Sequence, residues 1–108
     1  MIISDERFAS AYRTVDGAER RFDDIGDMAV YHSVRAENVM AFWVHDAETL
    51  EWLKATHAWF VRSGETMSPM GHGLAAYGSE AQAIVAAEAI GGAVVRWNEV
   101  LSDATLGH

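Results

Sequence analysis

Polar and apolar positions alternate loosely from Phe8 to Val15, and the chain returns through Arg20 to Phe22, with Asp16-Gly17 between the two runs. An Asp-Gly pair in that place is the chemistry of a tight hairpin turn, whose central residues sit at positive φ. The period then changes. In "DDIGDMAVYHSVRAEN" the residues Ile25, Met28, Ala29 and His32 recur at i, i+3, i+4 and i+7 behind Asp23 and Asp24, either of which can cap a helix. The spacing predicts a helix over about 24–36, ended near Asn38.

"VMAFWVHD", residues 39–46, is rich in β-formers and too short for a helix, so it reads as a buried strand closed by Asp46. Residues 47–55 fit a short helix or an irregular turn equally well. In "HAWFVRSG" the residues His57, Trp59 and Val61 fall on one face and Ala58, Phe60 and Arg62 on the other, which predicts a strand ending at Gly64. "LAAYG" predicts a further strand. "SEAQAIVAAEAIGG" predicts a helix over about 80–90 with a Ser79 cap and a Gly-Gly stop. "AVVRWNEVL" predicts a last strand running into a short terminal turn.

The order is β-β-α followed by β-β-β-α-β, with hairpins ahead of each helix rather than regular β-α alternation. This predicts an α+β fold of paired β-β-α units, with a largely antiparallel sheet and two main helices. Nothing resembling a linker or a low-complexity tract divides residues 1–108, so one domain is expected.

Charge narrows the partners. Sixteen acidic residues against eight basic ones leave a formal charge of −8, without the run of Lys or Arg that a phosphate backbone requires. Nucleic acid is not expected as a partner on that ground. Apolar stretches such as Ile90 to Val95 fall well short of the roughly 20 residues of a membrane-spanning helix. The sequence opens without a charged segment followed by an apolar one, so an export signal is expected to be absent or already removed. The chain has no cysteine, which removes disulfides, thiolate ligands and Cys nucleophiles. Soft-ligand chemistry is left to methionine and histidine.

The candidate chemistry sits in "GETMSPMGHG", residues 64–73, which hold the only proline and three of the nine glycines. In an extended segment Met70 and His72, at i and i+2, point to one side, so a thioether and an imidazole can converge on one ion. Thioether sulfur favours Cu(I), and imidazole is compatible with it. Met67 offers a second sulfur. The plainer reading is a methionine filling the core beside an exposed loop histidine.

Other clusters read as structure. Asp23, Asp24 and Asp27 occupy a first helical turn, where the helix dipole favours carboxylates. His32, on the apolar face of that helix, reads as a hydrogen-bonded, half-buried side chain. His45 and Asp46 are adjacent on a strand and therefore face opposite sides, so they form no catalytic dyad. The aromatic set Phe42, Trp43, Trp59, Phe60, Tyr77 and Trp97 reads as core. No nucleophile, acid and oxyanion donors converge in sequence, and an enzyme is not expected.

The stretches "FDDIGDM", "FWVHD", "HAWFVRSG", "SPMGHGLAAYG" and "WNEV", taken in order along nearly the whole chain, resemble the nitrous-oxide reductase accessory protein family, NosL. The resemblance implies a monomeric copper chaperone, usually an exported lipoprotein of the periplasm or another extracytoplasmic space, that carries Cu(I) to nitrous oxide reductase in denitrification. It also implies a fold similar to that of the organomercurial lyase MerB. Family members hold Cu(I) with an N-terminal Cys-x-Met segment and the Pro-Met-Gly region. By position, Met70 matches the methionine of Pro-Met-Gly, His72 is the nearby imidazole, and Met1 and Met67 are candidate third ligands.

The chain departs from this pattern where thiolates are concerned. The cysteine two residues before the methionine matched by Met1 is missing from this sequence, and Asp27 stands where many relatives carry a second cysteine. Methionine and histidine can hold Cu(I) without a thiolate, with lower affinity and weaker pH dependence. Two readings follow. One is a Cu(I) carrier that hands its metal to a copper-receiving metalloenzyme or its assembly proteins. The alternative is a metal-free NosL-like interaction module.

Overall fold

The computed structural model describes residues 5–63 and 73–106. Its elements run β1 (Ser10–Thr14), β2 (Glu19–Phe22), α1 (Ile25–Arg35), β3 (Val39–His45), β4 (Trp52–Lys54), a single 3-10 turn (Ala55–His57), β5 (Trp59–Arg62), β6 (Leu74–Tyr77), α2 (Glu80–Ile90), β7 (Ala93–Val95) and α3 (Trp97–Leu106). The strands form a four-stranded sheet in the order β2-β1-β3-β4 and a three-stranded sheet in the order β6-β5-β7. Every strand pairing in both sheets is antiparallel. The fold is therefore α+β, as the hairpin-before-helix order predicts.

The first hairpin turns where Asp16-Gly17 predicts it. Gly17 has φ +97°, and Thr14 Oγ1 accepts from the Ala18 amide while donating to the Asp16 carboxylate. Helix α1 starts one residue after Asp24, whose carboxylate accepts from the Asp27 amide at 3.2 Å. This satisfies one of the amides that every helix start leaves without an intrahelical partner. The helix stops at Ala36, in the left-handed region at φ 51°.

Two contiguous cores result. Helices α1 and α3 pack on each other and, with the larger sheet, enclose Tyr12, Phe22, Ile25, Met28, Val44, Phe60, Trp97 and Val100. Helix α2 lies on the smaller sheet and closes a second cluster around Val61, Ala83 and Ala87. Strand β5 serves both, because successive side chains point to opposite faces: Phe60 enters the first core and Val61 the second. Each fully buried large side chain contributes about 1.5–3 kcal/mol of transfer free energy.

Three local expectations change. Residues 47–55 are neither a helix nor only a turn: a turn with Leu50 at φ 64° leads into β4. The strand expected from His57 starts at Trp59, since Ala55–His57 form the 3-10 turn. The segment expected as a last strand and terminal turn is a three-residue strand, β7, followed by the ten-residue helix α3. Trp97, Val100, Leu101 and Ala104 all belong to or pack on the main core, a spacing of i, i+3, i+4 and i+7 that defines a helical face.

Candidate metal centre

The four expected ligands, Met1, Met67, Met70 and His72, lie outside the described residues. What the structure does define is the frame that carries three of them. Residues 64–72 join β5 to β6, whose pairing runs from Trp59↔Tyr77 to Arg62↔Leu74. One step beyond, the Ser63 amide donates to the Gly73 carbonyl at 3.0 Å. Both ends of the nine-residue connection are therefore held side by side.

That closure depends on glycine. Gly73 has φ +70°, and a β-carbon there would stand 2.2 Å from the Ser63 carbonyl oxygen. No other residue fits without moving the backbone at Ser63, just past β5. Gly92, ahead of β7, presses on the same spot: a β-carbon would lie 2.9 Å from the Arg62 carbonyl oxygen and 3.2 Å from Ser63 Cβ. The Arg62 guanidinium reaches Asp103 on α3 at 2.5 Å, which ties the end of β5 to the last helix.

The remaining polar residues of interest divide cleanly. Asp24 is fully buried as the α1 cap, and its carbonyl accepts from Ser10 Oγ at 3.3 Å. The acidic cluster at 23–27 is thus a helix start. His32 places Nε2 3.2 Å from the Glu37 carbonyl and packs edge-on against Tyr12 and Phe42. Among the described residues no group of three or more His, Cys, Asp or Glu side chains could together hold a metal ion.

Asp46 organises the junction of the two sheets. Its Oδ1 accepts from the Glu48 and Thr49 amides at 2.8 and 3.1 Å, and its Oδ2 accepts from the Gly78 amide at 2.9 Å. Its backbone forms a parallel bridge to Ala76 of β6. His45, one residue earlier, faces the outer side of the larger sheet and packs against Trp52 with ring centroids 3.8 Å apart and the ring planes tilted by 35°. The two side chains diverge, as strand geometry requires.

The aromatic set is partly core. Phe60 and Trp97 are buried together, Phe42 packs on them, and Trp59 and Tyr77 border the second cluster. Trp43 departs from the expectation: it lies on the outer face of the larger sheet, where Lys54 Nζ approaches its ring at 5.8 Å.

Among the described residues a charged network gathers at Tyr12, Arg20 and Glu37. The Arg20 guanidinium holds the Glu37 carboxylate with two bonds, 3.1 and 2.8 Å, and the Tyr12 hydroxyl donates to the same group. Arg20 first, and then Tyr12, push the Glu37 carboxyl down to about 2. Burial and the adjacent carboxylate push the Tyr12 phenol well above its ordinary range. This triad ties β1 and β2 to the segment after α1.

Comparison with known proteins completes the picture. No curated protein sequence matches the chain. A crystal structure of the copper chaperone NosL from Shewanella denitrificans superimposes with a TM-score of 0.76 at 20% identity, covering 84% of this chain and 76% of that one. At that identity the likeness establishes the fold. The NosL family model matches residues 1–105, almost the whole chain, and the protein therefore belongs to the NosL family.

Proposed function

We propose that this protein is a Cu(I)-binding accessory protein that carries copper to a partner metalloenzyme. The observation that carries the reading is the β5–β6 stem: a glycine-dependent closure at Ser63 and Gly73 presents the "MSPMGH" segment within a fold similar to that of a copper chaperone. Met70 and His72 are the proposed primary ligands, and Met67 and Met1 the candidate third ones. Copper here is cargo. A ligand set of thioether and imidazole suits the soft Cu(I) ion and, lacking a thiolate, lets it go readily to a stronger acceptor.

The proposed receiver is nitrous oxide reductase or a protein of its assembly, the proposed location extracytoplasmic, and the proposed state monomeric. Among the described residues no helix is long and apolar enough to cross a membrane. A competitive Cu(I) titration against a chelator, under anaerobic and reducing conditions, tests the reading. One equivalent is expected to bind, and Met70→Ala and His72→Ala are each expected to weaken it by at least about tenfold. Unchanged binding in both variants overturns the ligand assignment. The absence of cysteine favours a second reading, a metal-free interaction module, which predicts no Cu(I) retention by the unaltered protein and a partner pull-down unaffected by a chelator.

A further inference from the structure

The inner side chains of the larger sheet, among them Tyr12, Phe22 and Val44, are buried with α1 and α3, and α2 lies on the smaller sheet. Among the described residues no helix covers the opposite face. Strand register fixes what that face carries. Arg21, Ala11, Trp43 and Lys54 are successive cross-strand partners from β2 to β4, Arg13 is paired with Glu19, and His45 with Trp52. Directly paired residues of antiparallel strands point to the same side, as do residues two apart on one strand, so all of these share one surface.

An uncovered sheet face is ordinarily polar, by alternation with the core. This one presents two indoles. Trp52 is 49% exposed, and it sits on the diagonal from Trp43, whose direct partner is Lys54 two residues further along β4. The small Ala11 of β1 lies between these rings and the charged side chains of β2, which leaves a trough of about 450 Å³. A second hollow of about 370 Å³ shares Ala11, Arg21 and Trp52 and carries the trough on toward the exposed Leu50.

The charge of this face runs against that of the chain. The protein has eight basic residues and a formal charge of −8, yet Arg13, Arg21 and Lys54 stand here together. Glu19 is the one carboxylate that the four strands set among them, and two exposed guanidiniums share it, Arg13 at 3.3 Å and Arg21 at 3.5 Å. Lys54 places its ammonium 5.8 Å from the centre of the Trp43 ring. Glu6, ahead of β1, borders only the second hollow.

We propose that this face is a docking surface for an acidic, extended segment of a partner protein that carries an aromatic or aliphatic side chain among its carboxylates. The cations suit the carboxylates, and the indoles suit the apolar side chain. Tryptophan and arginine are also the residue types that most often dominate the energy of an interface. A trough walled by its indoles fits a chain segment better than a bilayer, into which the rings would have to project. A second copy of this chain would bring its own charge of −8 against an equal charge. The assignment is independent of the Cu(I) reading.

The test titrates the metal-free protein with a blocked peptide, acetyl-Glu-Asp-Phe-Glu-Leu-Asp-Glu-amide, which lacks tryptophan so that indole fluorescence reports only the protein. Expected are a saturable fluorescence change, nuclear resonance shifts centred on Ala11 and the Trp43 and Trp52 indoles, and an affinity that falls as salt rises. The corresponding lysine peptide should not bind. Arg21→Gln and Trp52→Ala alter exposed side chains, and each is expected to weaken binding by at least about tenfold. No saturable change at millimolar peptide, shifts centred elsewhere, or unchanged affinity in both variants overturns the proposal. Two other occupants would overturn it as well: phosphatidylglycerol vesicles that bind this face while the peptide does not, or self-association in sedimentation that Trp52→Ala abolishes.

Discussion

The Tyr12 hydroxyl donates to the Glu37 carboxylate at 2.5 Å, joining the central strand β1 to the segment that follows α1, while Arg20 of β2 grips the same carboxylate. Three separate elements thus converge on one negative charge. The folded state lowers the Glu37 carboxyl from 4.5 to about 2, so the ionised form is favoured by folding. Its contribution is present above pH 4.5 and is lost as pH falls through about 2. Glu37→Gln is expected to lower stability at neutral pH and to flatten the acid limb between those values in a pH series of denaturant midpoints. Tyr12 shifts the other way: folding favours the neutral phenol, and its contribution is lost as pH rises above 10. Tyr12→Phe is expected to remove that alkaline component. Parallel pH curves for variant and parent would show that the triad is not coupled to folding.

Asp46 holds three backbone amides from two parts of the chain with one carboxylate that is 3% exposed. Asp46→Ala removes the acceptor of three backbone amides at the point where the two sheets meet, and is expected to cost about 1–3 kcal/mol in urea unfolding. Asp46→Asn keeps one acceptor oxygen and should cost less. If alanine and asparagine were equally damaging, the Oδ1 bonds to Glu48 and Thr49 would contribute nothing measurable.

The parts of the fold legible in the sequence were those whose cause is local. Asp16-Gly17 specifies its turn through its own backbone preference, and Asp24 specifies the start of α1 through an amide three residues away. Strand β4 was hidden because it is three residues long and follows a turn held by the side chain of Asp46 and by Leu50 at φ 64°. Neither feature leaves a compositional trace. Helix α3 was hidden for a different reason: Val94, Val95 and Trp97 continue a β-rich run, and their strand-like composition masked the helical spacing of Trp97, Val100, Leu101 and Ala104. The role of Gly73 in the candidate site was equally invisible, since its constraint comes from the Ser63 carbonyl ten residues earlier.

Gly73 and Gly91 give a matched pair that separates conformational strain from steric collision. Their φ values are +70° and +67°, but a β-carbon at Gly91 meets nothing within 4 Å whereas one at Gly73 meets the Ser63 carbonyl oxygen at 2.2 Å. Gly91→Ala is expected to cost about 1–2 kcal/mol, the penalty of a side chain in the left-handed region. Gly73→Ala adds a forced displacement of the stem and is expected to cost more, in thermal or urea unfolding. It is also expected to weaken Cu(I) binding, while Gly91→Ala leaves binding unchanged. Equal Cu(I) affinity in both variants would mean that the stem does not position the ligands.

Thioether ligands carry no proton at any working pH, and this gives the proposed copper site a signature independent of mutation. A thiolate site gains affinity as pH rises toward the ordinary cysteine value of about 8.5, and an α-amino ligand does so near 8. This chain has no cysteine, so a site built on Met70 and His72 predicts a Cu(I) affinity that is flat from about pH 7.5 to pH 9. A titration series across that range with a chelator of known pH dependence checks it. A steady rise in affinity would assign a ligand position to the amino terminus instead and displace one of the methionines. A flat profile abolished by Met70→Ala would place sulfur in the coordination sphere and leave a carrier whose hold on its cargo is set by ligand geometry rather than by proton competition.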